Sequence, residues 1–161
     1  MTTTGLIDMQ AKRSTASKQI KASPEAIFDL LADPAKHGLF DGSGMVQGTS
    51  STSQRLSMGS TFAMSMKFKF VPYRIGSTVV EFEENRRIAW QHFGKHRWRY
   101  ELEPIDAETT LVTETFDWST ARSPKALETA GYPKANLASI EKTLERLAAL
   151  VEGQALAAET E

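Results

Sequence analysis

Residues 61–70 read TFAMSMKFKF. Phe62, Met64, Met66, Phe68 and Phe70 alternate with Ala63, Ser65, Lys67 and Lys69. A period of two held over such a stretch marks a β-strand with one buried and one wetted face. The buried face is large and soft, three Phe and two Met in one row. It must therefore meet either a packed helix or a cavity that holds an apolar ligand. Met and Phe are also the side chains with which an adaptable apolar pocket is lined.

Downstream, residues 78–84 (TVVEFEE), 87–93 (RIAWQHF), 97–103 (RWRYELE) and 110–118 (TLVTETFDW) carry the same alternation, joined by short polar turns. They predict a run of antiparallel strands. Facing residues in an antiparallel pair keep a constant index sum, so the apolar faces set a register. Phe82 opposes Ile88 and Val80 opposes Trp90, around a loop at 84–86. Trp90 then opposes Tyr100 and Ile88 opposes Leu102, around a loop at 94–96. In the last hairpin Leu102 opposes Val112 and Trp98 opposes Phe116. Every inward residue is then even-numbered, and a slip of one would turn each strand inside out.

Upstream, residues 12–22 predict a modest first strand, preceded by a leader at 1–11 that is expected to fray. Ser23-Pro24-Glu25 is a sharp helix start: a capping hydroxyl, a proline in the first turn and an acid at the positive helix end. Ile27, Phe28, Leu30 and Leu31 supply its apolar face, and Asp33-Pro34 stops it. A second short helical turn is expected at 35–40. Residues 41–60 form a Gly/Ser-rich connection with a short strand at 45–47. Pro72 and Gly76 are expected to bend the chain away from the organising strand. Residues 119–136 read as a long loop, of the kind that is usually functional. The strongest helix spans 133–152, with Leu137, Ile140, Leu144, Leu147, Ala148 and Val151 in one stripe and Gly153 as its stop.

A chain of 161 residues, 40% hydrophobic and 24% charged, suits one domain with a sizeable core, expected at 12–153 between flexible tails at 1–11 and 154–161. A net charge of −1 without a basic run gives no electrostatic support for nucleic acid or for an anionic membrane surface. The absence of cysteine removes disulfides, thiolate metal sites and Cys nucleophiles, and fits a reducing compartment. No apolar run approaches the roughly 18 residues of a transmembrane helix, and residues 1–13 lack the apolar core of a signal peptide. A cytoplasmic protein, monomer or homodimer, is expected.

The element order is strand, two short helices, several antiparallel strands and one long C-terminal helix. This is an α+β, helix-grip layout: a curved antiparallel sheet wrapped around the long helix. The segments SPEAIFDLLADP, FEENRRIAW, HRWRYELEP, TLVTETFDWS and the AGYP turn before the last helix resemble the SRPBCC (START-related) superfamily, and within it the polyketide cyclase/dehydrase-like branch. The resemblance runs from about residue 17 to 153. It implies an internal apolar cavity for lipids, polyketides or other hydrophobic molecules, in carriers and in cyclases alike. Fold alone does not decide between these.

The cavity lining is expected from Phe62, Met64, Met66, Phe68, Phe70, Val80, Phe82, Trp90, Trp98 and Phe116 on the sheet and Leu137, Ile140 and Leu144 on the helix. Among the even-numbered residues few are polar: Thr78, His92, Tyr100 and Glu114. A carboxyl in an apolar wall has its pKa raised by desolvation, which makes a usable acid or base near neutrality. Tyr100 would orient a carbonyl, and His92 titrates in the useful range. Such a set suits enolisation, aldol closure or dehydration of a ketide, against the simpler reading of a Glu–Tyr hydrogen bond that satisfies two buried groups. His92 and His96 have metal-pair spacing but lie at a strand end and a turn, with no third ligand nearby. His37 either edges the cavity or is exposed. No nucleophile elbow, P-loop or dinucleotide fingerprint is present. No metal and no cofactor are expected. The outer-face charges Lys67, Lys69, Arg97, Arg99, Glu101 and Glu103 read as a solvated face. The leading function is binding, with transport as an extension, of a small hydrophobic molecule. The alternatives are a cofactor-independent cyclase or dehydratase using Glu114, Tyr100 and His92, and a protein-interaction module with a vestigial cavity.

Overall fold

The computed structural model describes residues 3–49 and 54–160. Eight strands form one antiparallel sheet: β1 (Thr4–Asp8), β2 (Arg13–Ile20), β3 (Val46–Thr49), β4 (Thr61–Phe68), β5 (Val71–Glu83), β6 (Arg87–Gln91), β7 (Arg97–Pro104) and β8 (Thr110–Asp117), in the order β1-β2-β8-β7-β6-β5-β4-β3. Between β2 and β3 lie α1 (Pro24–Leu31), a 3₁₀ turn (Pro34–Lys36) and α2 (His37–Phe40); α3 (Pro124–Thr129) and α4 (Tyr132–Thr160) follow β8. The fold is α+β, with a curved sheet gripping a long C-terminal helix. No described helix is long and apolar enough to cross a membrane.

Local chemistry explains most boundaries. The Ser23 side chain accepts from the Ala26 N–H at 3.2 Å and Pro24 opens α1, as the capping signals predict. Asp33 repeats the device for the 3₁₀ turn, accepting from the Ala35 N–H at 3.0 Å. Ile140, Leu144 and Leu147 of α4 are fully buried in the core with Phe28, Phe116 and Trp118. This face lies over β1, β2 and β8, so the inner surface of β4 to β7 is left to α2 and to the N-terminal half of α4.

Several expectations are corrected. Residues 4–8 are not a tail but an edge strand paired with β2. The loop expected at 119–136 contains α3, and α4 begins at Tyr132 after Gly131, whose positive φ of 81° ends the preceding turn. The helix also continues past Gly153 to Thr160. Part of the Gly/Ser-rich connection, 50–53, falls outside the described residues.

The sheet register departs from expectation at two places. In β5–β6, Phe82 opposes Ile88 as predicted and Glu83 opposes Arg87, but Val79, not Val80, opposes Trp90. A bulge between Val79 and Glu81 inserts one extra residue, which exchanges the faces of everything before it. Ser77 and Val79 are therefore buried, while Thr78 and Val80 leave the inner face. β5 also begins at Val71, so Pro72 and Gly76 lie within the strand rather than ending it. In β6–β7, Tyr100 opposes Ile88 and Trp98 opposes Trp90, a shift of two from the expected pairing. The connecting loop is then 92–96, with Lys95 at φ 64° and its N–H bonded to the His92 carbonyl at 2.9 Å. A slip of two conserves every face, so the parity of β6, β7 and β8 survives it.

Candidate functional site

Between the inner face of β4 to β8, α2 and the first half of α4 lies a cavity of about 320 Å³, within the size range of small-molecule pockets. Its apolar wall comes from Phe62, Met64 and Met66 of β4, Trp90, Trp98 and Phe116, with Ile140 from α4 opposite. The other predicted lining residues lie elsewhere. Phe68 and Phe70 are 53% and 91% exposed, because the β4–β5 hairpin closes tightly at Lys69 (φ 56°) and carries them to solvent. Val80 is turned off the inner face by the bulge. Phe82 packs edge-on against Phe28 at 5.5 Å. Leu144 is fully buried in the core, and Leu137 packs beside Gly5 of β1; neither reaches the cavity.

Glu114 and Tyr100 are cross-strand neighbours on β8 and β7, and both line the cavity. Glu114 is 4% exposed, and its Oε2 has no hydrogen-bond partner among the described residues. Burial pushes its carboxyl well above the usual carboxylate range; the Tyr100 hydroxyl opposes this, and the Asp41 charge adds to it. Burial likewise raises the Tyr100 phenol, reinforced by the Glu114 and Asp41 charges. Asp41 reaches the cavity because α2 is clamped to α4. A Cβ on Gly42 would meet the Ser139 carbonyl oxygen at 2.5 Å and the Thr143 nitrogen at 2.6 Å, so only glycine permits this approach. The Gly42 N–H donates to Thr143 Oγ1 at 2.8 Å, and Arg146 donates to the Leu39 and Asp41 carbonyls.

A second polar group sits at the β6–β7 loop. His92 and His96 both line the cavity, with ring centroids 5.7 Å apart. His92 Nδ1 is 2.7 Å from Ser77 Oγ, a partner that the β5 bulge turns inward. Desolvation, with help from the adjacent His96, lowers the His92 pKa to about 4, against a smaller opposing contribution from the Gly76 backbone. Burial also lowers that of His96, whose Nδ1 has no partner among the described residues. His96 packs on Phe116 at 5.4 Å. No three His, Asp or Glu side chains among the described residues are grouped as a metal site.

Sequence reasoning brought Glu114, Tyr100 and His92 to one face, and the structure assembles them around one cavity, though in two groups. It missed Ser77, Ile75 and Tyr73, which line the cavity because of the bulge. His37, expected either to edge the cavity or to be exposed, does line it: it is buried, stacked on Trp90 at 4.8 Å and lowered in pKa by burial. Its Nε2 lies 2.8 Å from the Leu31 carbonyl, which can only accept, so Nε2 carries the proton. Asn136, Ser139 and Thr143 on α4 were overlooked as well. Their spacing on one stripe of an otherwise Leu/Ile-rich helix was the available signal.

Residues 11–152 match the protein family described as polyketide cyclase / dehydrase and lipid transport. The chain is 38% identical over 151 residues to the uncharacterized protein Rv0088 of Mycobacterium tuberculosis, covering 91% of this chain and 67% of that protein. In fold it is similar to an Arthrobacter aurescens protein (TM-score 0.73, 12% identity, 93% of this chain and 91% of that one). It is also similar to the polyketide_cyc-like protein Cgl2372 of Corynebacterium glutamicum (TM-score 0.61, 21% identity, 88% and 92% covered). With the family match running across residues 11–152, the chain belongs to the polyketide cyclase / dehydrase and lipid transport family of the SRPBCC superfamily.

Proposed function

We propose that this protein binds a small hydrophobic molecule in the cavity beneath α2 and α4. The observation that carries this reading is the cavity wall: Phe62, Met64, Met66, Trp90, Trp98 and Phe116 leave about 320 Å³ unfilled between them. A gap of this size in an ordinary core would forfeit packing energy, since interiors are close-packed and apolar voids are costly. A bound apolar molecule restores those contacts. Native mass spectrometry of protein purified from cells should reveal a co-purifying apolar molecule. The neutral dye Nile red should bind the emptied protein, quenching Trp90 and Trp98. Met64→Trp should fill the cavity and abolish dye binding, at a stability cost of about 1–3 kcal/mol for overpacking. Absence of any bound molecule together with unchanged dye binding in Met64→Trp would refute the reading.

A second reading, acid–base chemistry on a bound ketide, is favoured by the unpartnered Glu114 Oε2 beside the Tyr100 hydroxyl. In it Glu114 moves the proton and Tyr100 orients the carbonyl. Glu114→Gln then retains binding and loses turnover, because an amide cannot exchange a proton in this range. Turnover that survives the substitution excludes this reading and leaves the binding one intact.

A further inference from the structure

The cavity's polar groups include none that is permanently cationic. Glu114 and Asp41 contribute carboxyls, Tyr100 and Tyr132 hydroxyls, and His92 and His96 imidazoles; among its described lining residues there is no lysine or arginine. An anionic head group placed there would meet two acids and no counter-charge. Burying an unpaired carboxylate is among the costliest steps in protein chemistry, and a like charge nearby adds to the cost. At the same time the wall holds a polar atom waiting for a partner, Glu114 Oε2, buried and without a hydrogen bond among the described residues. An orphaned buried polar atom in a native wall calls for an explanation, and a ligand oxygen beside it supplies one.

Resting on the reading of this cavity as a ligand site, we propose that its ligand is an uncharged molecule whose carbonyl or hydroxyl oxygen accepts a hydrogen bond from the Glu114 carboxyl, and that the cavity rejects free carboxylates such as fatty-acid anions. The elevated pKa of Glu114 fits this role, since a neutral carboxyl has a proton to donate and an ionised one only accepts. The histidines agree with it. Burial keeps both imidazoles neutral at pH 7, with His92 at about 4, so neither offers a cation to an anionic head. The unpartnered Nδ1 of His96, which packs against Phe116, suits a second uncharged oxygen.

The test uses two ligands of equal length and different charge, 2-undecanone and decanoate, competing with Nile red at pH 7. The ketone should displace the dye at least about tenfold more effectively than the carboxylate, the size expected when a buried charge finds no partner. Glu114→Gln should retain the ketone, since its amide N–H also donates. Glu114→Met should weaken the ketone by roughly five- to tenfold, the usual consequence of a lost buried hydrogen bond, while still binding Nile red. Equal binding of decanoate and 2-undecanone, or a ketone affinity unchanged in Glu114→Met, overturns the inference and leaves hydrophobic binding standing. Failure of Nile red and both ligands to bind overturns the binding reading itself and this inference with it.

Discussion

Strand β8 carries two buried carboxyls three residues apart, and the two behave in opposite ways. Glu114 faces the cavity and Asp117 the outer face of the sheet, as the odd spacing between them requires. Both are nearly inaccessible, at 4% and 2% exposed. Asp117 is surrounded by partners: Arg99 at 3.2 Å, Arg13 at 3.5 Å, and the Ser119 N–H and hydroxyl at 3.0 and 2.6 Å. Burial would raise its pKa, but the Ser119 hydrogen bonds and the Arg99 charge outweigh it, and the net shift is downward. Glu114 has burial without a cation, so its shift is upward. Burial alone therefore does not mark a site. A buried acid with its partners in place is part of the sheet, whereas a buried acid with an empty valence beside a cavity is available to something else.

The outer cluster is the larger test of this contrast. Arg99 joins Glu81, through hydrogen bonds of 2.8 and 2.9 Å, to Asp117, passing over the small buried side chain of Ala89, and is itself only 12% exposed. The face expected to be a solvated row of charges is at this point a half-buried ion-pair network. Arg99→Met removes the cation that Glu81 and Asp117 share but leaves Arg97 on Glu81 at 2.9 Å and Arg13 on Asp117 at 3.5 Å, so the cost in urea unfolding at pH 7 should be about 3 kcal/mol, the lower end for a covered pair that loses one partner. A loss below about 1 kcal/mol would mean that Arg97, Arg13 and Ser119 suffice, and that Asp117 and Glu114 differ less than the geometry says.

A third group, the half-buried His92, extends the contrast on the cavity side. It too lacks a counter-charge: its neighbours are Ser77, the Gly76 backbone and a second imidazole, His96. Its folded pKa is depressed from 6.5 to about 4, so the associated stability is complete above pH 6.5 and is lost as pH falls through 4. The loss is at most about 3 kcal/mol, from the size of the shift. His92→Gln should flatten the stability profile between those limits. An unchanged slope would show that His92 protonates freely, with solvent or an unrecognised acid beside it.

Much of this was legible in the sequence, because side-chain parity is a local property. The even-numbered rows of β6, β7 and β8 were readable from alternation alone, and with them the neighbourhood of Tyr100 and Glu114. Alternation is blind to two things. It cannot see a slip of two, which is why Trp90 was paired with Tyr100 instead of Trp98 while both stayed inside. Nor can it see a bulge at Val80, where no glycine or proline marks the extra residue; that one insertion exchanged Thr78 for Ser77 and removed Val80 from the wall. Phe68 ends β4 at the exposed tip of the hairpin and Phe70 continues its period past the point where Lys69 turns the chain, so the pattern outlasts the cavity wall. Asp41 was hidden for another reason: its position depends on the contact of Gly42 with α4, about a hundred residues away along the chain.

The smallest expected effect falls on Glu114 itself and decides the sign of the contrast. Glu114→Gln replaces a neutral acid by an amide of nearly the same volume, so at pH 5 stability should change by less than about 1 kcal/mol. A carboxyl with a raised folded pKa contributes stability that is fully present below its unfolded value, 4.5, and lost as pH rises through the folded one. The wild type should therefore lose stability relative to Glu114→Gln on going from pH 5 toward alkaline conditions, the opposite of the acid-side loss expected of Asp117. The titratable groups facing Glu114 are few: the Tyr100 hydroxyl, whose hydrogen bond favours ionisation, and Asp41, whose charge disfavours it. Paired urea melts of the two proteins from pH 5 to pH 9 measure the difference directly. A variant that becomes less stable than the wild type as pH rises would mean that Glu114 is ionised and paired in the fold, and the two carboxyls of β8 would then be of one kind.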